Sequence, residues 1–234
     1  ETADLGDCVR TTTVDATMMV RLKKENLILT QNIKPGNVIV GLASYGKATY
    51  EDEYNSGISS NGLTSARHDL LSKFYAEKYP ETFDASIDSS LVYSGSKKLT
   101  DKLEGTDLNI GKALLSPTRT YTPVIKKVLG EIPGKVNGII NCTGGAHTKV
   151  LHYIENLRIV KNNLLPIPPL FKLIQQESKT DWKEMFKVLN CGTRLEVYCD
   201  EEYSSLVIDV AKSFGVAAQV IGHVEATDKN EVQL

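Results

Sequence analysis

Cysteine is scarce in this chain of 234 residues. Cys8, Cys142, Cys191 and Cys199 form neither a CxxC pair nor a CxxC…HxxxH frame. That spacing supports no zinc site and no disulfide framework, and leaves buried thiols in a reducing compartment. Long apolar runs are lacking too. Nothing approaches the roughly 18 uninterrupted apolar residues of a membrane span, and no secretory pattern is visible, so the cytoplasm is the expected compartment. An excess of either charge is also missing: the net charge is −2 and the pI about 6.1, which offers no electrostatic footprint for nucleic acid or an anionic membrane. No internal repeat and no low-complexity stretch interrupts the chain. The opening Glu1-Thr2-Ala3-Asp4 lacks a Met and reads as cut from something longer.

What is present is an ordinary globular composition, 41% hydrophobic and 24% charged. Residues 11–22 are β-branched and apolar enough to predict a strand. The Pro-Gly turn in Asn32 to Asn37 is the candidate domain boundary, dividing residues 1–35 from 36–234. Val38 to Ala43, Val136 to Cys142, Arg194 to Cys199 and Ala218 to Val224 predict further strands. Helical spacing runs from Leu63 to Tyr75, through Tyr121 to Leu129, behind Pro169, from Asp181, and from Tyr203 to Phe214. Residues 81–114 read as irregular, and Thr227 onward as a polar tail. Strands and helices alternate without a strict βαβ rhythm, which predicts an α+β fold, a mixed sheet with packed helices.

Several stretches carry possible chemistry. Gly41 to Lys47 matches GxxxxGK after a strand, but position 48 is Ala where a magnesium-binding hydroxyl belongs, and Glu51, Asp52 and Glu53 stand where phosphates would sit. A true P-loop is rejected, and those acids read as a solvated loop. Thr143-Gly144-Gly145 follows a strand directly, and paired glycines let backbone N–H groups close on an anion. A helix from about His147 would add its dipole. The alternative is a tight turn with no ligand. Ser60-Asn61-Gly62 is a second loop of this kind, ahead of a helix. Arg119, in Ser116 to Tyr121, could clamp a phosphate or carboxylate with its planar fork, or stand exposed beside a plain helix cap. His147 and His152 are spaced i, i+5, off a common helix face, so no metal ligands are assigned. No side-chain nucleophile with partners can be assigned.

Taken together and in order, ETAD, GLAS–G…SNGLTSAR, LLSPTRTY, TGGAH, IPPLFKLIQ and NCG resemble the aminoimidazole ribonucleotide synthetase (phosphoribosylformylglycinamidine cyclo-ligase) family from residue 1 to about 225. The PTR-x-Tyr segment is the most specific part. The resemblance implies a two-domain α+β subunit, a homodimer, and ATP-dependent ring closure of formylglycinamidine ribonucleotide in purine biosynthesis, with ATP and Mg2+ as cofactors. Residues 1–35 would then close an N-terminal ATP-binding domain and contribute its last strand. Residues 36–234 would form the C-terminal α+β domain. Carried over by position, Ser60, Asn61, Gly62, Arg119, Thr143, Gly144 and Gly145 would contact substrate or nucleotide phosphates. Glu1, Thr2 and Asp4 would border the active-site cleft. Lys47 to Ser59 would be an insertion, a flap that could be deleted without loss of the fold. Ala146 stands where the family usually has Gly, and Cys191 where it usually has Met. Two other readings remain: a phosphate-ligand binding or dimerisation module without its own chemistry, and a related ATP-dependent phosphotransferase similar to selenophosphate synthetase.

Overall fold

The structure, a computed structural model, describes residues 17–60 and 62–234. Glu1, Thr2, Asp4 and Asn61 lie outside the described residues, as does the first half of the strand expected at 11–22. Of that strand, residues 17–22 carry no strand, and Met18, Met19, Val20 and Leu22 are exposed. Strand propensity needs a partner edge, and among the described residues none lies alongside them.

Six strands make one sheet. They are β1 (Val38–Ala43), β2 (Val136–Asn141), β3 (Leu157–Val160), β4 (Thr193–Cys199), β5 (Ala218–Ala226) and β6 (Glu231–Gln233), in the spatial order β2-β4-β1-β5-β3-β6. β1 pairs antiparallel with both β4 and β5, and only β6 runs parallel to its neighbour, β3. The expected mixed sheet with packed helices is therefore present. β3 has no counterpart in the sequence reading. β6 falls in the predicted polar tail, where Val232 supplies an apolar residue and the Glu231 carboxylate takes the Arg158 guanidinium. At β5 a Cβ on Gly222 would stand 1.8 Å from the Val160 carbonyl oxygen, so only glycine lets β5 pass the end of β3 this closely.

Each face of the sheet is covered differently. Leu195, Val197 and Cys199 alternate along β4 toward α4 (Thr122–Glu131) and α7 (Ser204–Ser213), where they meet Val40, Val124, Val128, Val207 and Val210. The opposite face packs Ile39, Ile140, Tyr198 and Ile221 under Val150, Ile154 and Leu165. Ile33 joins that second layer, so packing reaches upstream of the Pro-Gly turn. A third cluster, at one end of the sheet, is helical. It is built from α1 (Leu63–Leu70), α2 (Phe74–Lys78), α3 (Ile110–Leu114), α5 (Pro169–Ser178) and α6 (Trp182–Val188), with Ile58 and Phe171 inside.

The single helix expected from Leu63 through Tyr75 is two. Leu71 turns extended, buries its side chain and bridges to Lys97, while Ser72 N–H donates to the Lys97 carbonyl. Burial and a new backbone partner outweigh the continued helical spacing. Pro169 opens α5 and the Asp181 side chain caps α6, both as read from the sequence.

Candidate functional site

The ends of three strands meet at one edge. Register pairs Ala43 with Thr193 and Asn141 with Leu195, so β1 and β2 finish where β4 begins. The loops leaving them are joined by backbone bonds: Ser44 N–H to the Gly192 carbonyl at 3.0 Å, and Cys142 N–H to the Arg194 carbonyl at 2.7 Å. Each loop holds a non-glycine residue at positive φ: Ser59 at 64°, Ala146 at 38° and Cys191 at 45°. A left-handed residue with a Cβ costs on the order of 1–2 kcal/mol, and such strain concentrates where loop geometry is fixed for use. Ala146→Gly should consequently stabilise the chain, by up to about 1 kcal/mol once the greater entropy of unfolded glycine is offset, read as a rise in denaturation midpoint.

Within this edge lies the candidate anion loop, Thr143, Gly144 and Gly145. Thr143 is buried, Gly144 is exposed, and Gly145 sits left-handed at φ 81°. The N–H groups of Gly144 and Gly145 have no acceptor among the described residues. Two consecutive donors ending on a left-handed glycine make a small positive concavity. Lys149, half-buried, reaches back so that its ammonium donates to Thr143 Oγ1. It adds a full positive charge that the sequence reading missed, although a Lys six residues beyond Thr143 was visible there. The helix expected to lend its dipole is instead a short 3-10 turn, Ala146–His152. Positive charge at this loop therefore comes from its amides and Lys149.

Of the second loop, Ser60 is exposed and its carbonyl accepts from Leu63 N–H at 3.2 Å. Gly62 caps α1 at φ 72°, and a Cβ there would lie 2.3 Å from Leu189 Cδ2. The two loops are linked through buried Asn190. His147 Nε2 lies 2.9 Å from the Asn190 carbonyl, and Asn190 Nδ2 donates to the Gly57 carbonyl at 2.9 Å. Buried Arg194 adds a tie, donating to Ser59 Oγ, which also meets Thr118 Oγ1 at 2.8 Å.

Arg119 is placed differently from the expected phosphate clamp. Its guanidinium is buried, and all five donors are used inside the chain. Nε and Nη2 grip the Glu51 carboxylate at 2.8 and 2.7 Å, Nη1 reaches the Ala43 and Tyr45 carbonyls, and Nη2 reaches the Gly46 carbonyl. The guanidinium beside Glu51 holds that carboxyl below its usual range despite the opposing effect of burial. Carbonyls converging on a cation are the reverse of a P-loop, which turns N–H groups inward. The rejection of that motif stands on geometry as well as on residue 48. Glu51 is consequently an anchor, not part of a solvated loop. The segment Lys47 to Ser59 is not a flap either: Ile58, Asn55 and Ser56 are buried, Asn55 Nδ2 donates to the Pro117 carbonyl, and Ser56 Oγ donates to the Ala113 carbonyl.

Beneath the Thr143 loop lies a buried polar row. Glu196 accepts from Lys161 Nζ at 2.5 Å and from Tyr198 O–H at 2.7 Å, and Lys161 Nζ also donates to the His147 carbonyl at 2.8 Å. The Lys161 cation beside Glu196 holds its carboxyl below the ordinary range, against full burial. Burial pushes the Cys142 thiol well up, so it is no thiolate nucleophile. No group of three His, Cys, Asp or Glu side chains among the described residues could hold a metal ion. No helix among them is long and apolar enough to cross a membrane.

Residues 34–234 match the family described as "AIR synthase related protein, C-terminal domain". Phosphoribosylformylglycinamidine cyclo-ligase of Methanocaldococcus jannaschii is 30% identical over 224 residues, covering 96% of this chain and 55% of that protein. The protein of the same name from Methanococcus vannielii is 31% identical over 226 residues, covering 96% and 54%. The one from Bacillus subtilis is 29% identical over 213 residues, covering 87% and 50%. The chain thus spans about half the length of these relatives.

Proposed function

Because the chain belongs to the AIR synthase related C-terminal-domain family, we propose that it is the C-terminal part of a phosphoribosylformylglycinamidine cyclo-ligase. Its domain boundary would fall at 35/36. The reaction closes the imidazole ring of formylglycinamidine ribonucleotide. ATP phosphorylates the formyl oxygen, a substrate nitrogen attacks that carbon, and inorganic phosphate leaves with the oxygen. Such chemistry needs phosphates held in line and their charge neutralised more than it needs a protein nucleophile. The carrying observation is the seat at Thr143 to Gly145: two unengaged N–H groups, a left-handed glycine and the Lys149 ammonium.

In this reading the seat and Lys149 hold a phosphate of nucleotide or substrate, with Ser60, Asn61 and Gly62 as the second wall. Arg119 serves the wall from behind through Ala43, Tyr45 and Gly46. Magnesium does not fit the described side chains, which offer no three-ligand cluster. It is assigned, with Glu1, Thr2, Asp4 and most of the ATP contacts, to the N-terminal part. A homodimer in the cytoplasm completes the proposal.

The full-length protein should release phosphate from ATP only when formylglycinamidine ribonucleotide is present. Absence of that release sinks the assignment. Lys149→Met should raise the KM for the phosphate-bearing ligand about tenfold, the worth of one charged hydrogen bond, while leaving the melting temperature nearly unchanged. An unaltered KM would place the phosphate elsewhere. Half-length coverage favours a second reading for the isolated chain, an accessory phosphate-binding module. Tight ATP–Mg2+ binding by residues 1–234 in calorimetry would count against it.

A further inference from the structure

The pair His147 and Asn190 does more than fill space between two loops. His147 is buried, and its backbone is already held by Lys161. Its ring nitrogen Nε2 faces the Asn190 carbonyl at 2.9 Å, and a carbonyl can only accept, so Nε2 carries the proton. Burial foremost, and then the Lys161 cation, lower the imidazole pKa to about 4, with Glu196 opposing them. The ring is accordingly a neutral donor at physiological pH. Beyond it, Asn190 uses both ends of its amide: Nδ2 donates to the Gly57 carbonyl, and Oδ1 accepts from Gly192 N–H at 3.0 Å. No side chain is accommodated at Gly57, since its φ is 89° and a Cβ would fall 2.4 Å from Ser44 Oγ. A continuous chain of hydrogen bonds thus runs from the turn that ends the Thr143 loop to the segment that enters the Ser60 loop.

We infer that His147 is a positioning residue whose Nε2–H, acting through Asn190, fixes the spacing of the two glycine loops so that one phosphate-bearing ligand meets both. The inference rests on the proposed reading of those loops as phosphate contacts. It does not require the cyclo-ligase substrate. His147 touches no ligand in this scheme. What it supplies is a span: without the strut, only the Arg194 tie to Ser59 joins the Ser60 wall to the Thr143 seat, and a ligand ordering one orders the other less.

Two variants separate this role from simple packing. The amide of Gln reaches the place of Nε2, whereas that of Asn stops at the place of Nδ1. In the full-length protein, hydrogen exchange at residues 57–63 and 143–149 would be followed with and without inorganic phosphate and with ATP. The unaltered protein should show both segments protected together. In His147→Asn the ligand should protect one segment markedly less than the other, and its apparent affinity should fall about tenfold, the loss of one buried hydrogen bond. His147→Gln should restore joint protection and bring affinity back to within about threefold. Joint protection surviving in His147→Asn overturns the inference, as does a Gln variant that is as impaired as the Asn variant. If phosphate release with formylglycinamidine ribonucleotide fails in the unaltered protein, the cyclo-ligase assignment falls. The exchange experiment with inorganic phosphate still decides the strut.

Discussion

Arg119→Leu should lower the unfolding free energy by about 3–5 kcal/mol, the loss expected when one partner of a buried pair is removed. The Tyr45 carbonyl would lose its donor, the Ala43 and Gly46 carbonyls would be left with Tyr121 O–H and Asn55 N–H, and the Glu51 carboxylate would keep Ala48 N–H at 2.8 Å and the Asn55 side chain but no cation. Each buried polar group left unpaired costs about 1–3 kcal/mol, so relaxation and water entry keep the total near the stated range. Arg119→Lys should recover only part, because an ammonium cannot reproduce five fixed donors. Urea denaturation measures both, and a midpoint unchanged by the Leu substitution would refute the anchor. Stability also acquires a pH dependence. The Glu51 pKa is depressed in the fold, so its contribution is complete above the ordinary glutamate range and declines as pH falls through the lowered folded value. Arg119→Leu should flatten that acid-side decline.

The same geometry reverses the expectation for Lys47 to Ser59. Removing these residues would take Glu51 from Arg119, Asn55 from Pro117 and Ser56 from Ser116, along with Ile58 from the helical core. A segment with this many buried partners cannot be excised as a surface loop can. Acidic, tyrosine-rich sequence gave no hint of this, because burial of Glu51 depends on an arginine 68 positions later. Sequence patterns report periodicity well and distant pairing poorly. Thus β1, β4, β5, α4 and α7 were legible from apolar spacing, and α5 and α6 from proline and a cap. β3 and β6 were not, since Leu157 to Val160 is short and β6 depends on pairing with β3. At the candidate site, the Thr143 and Ser60 loops showed through their glycines. The roles of Lys149, His147, Asn190 and Arg194 did not, although His147 and Asn190 stand in the TGGAH and NCG motifs, because those roles arise from where β4 and the 3-10 turn bring them. Glu196 gave the one local sign, a charged residue inside an otherwise strand-like run.

That glutamate carries the second large effect. Lys161→Met should cost about 3–5 kcal/mol at neutral pH, because it leaves a fully buried carboxylate without its cation. Tyr198 O–H would still donate to Oε2, and the His147 ring, 3.7 Å away, is the nearest group able to take a compensating proton. The loss should shrink on acidification. In the variant, desolvation raises the Glu196 pKa, so the carboxyl protonates within the fold more readily as pH falls and the penalty fades. In the unaltered chain the same carboxyl is held low, and its contribution persists until pH falls below the ordinary glutamate range. Adding Glu196→Gln to Lys161→Met removes the stranded charge, keeps an acceptor for Tyr198, and should return roughly half the loss, about 2 kcal/mol. Chemical denaturation at pH 7 and pH 5 tests every arm. A loss independent of pH, or a double variant no better than the single, would show that Lys161 acts through packing alone. Because Lys161 also holds the His147 carbonyl, the single variant should loosen the Thr143 loop together with the sheet, so stability and phosphate affinity should fall together.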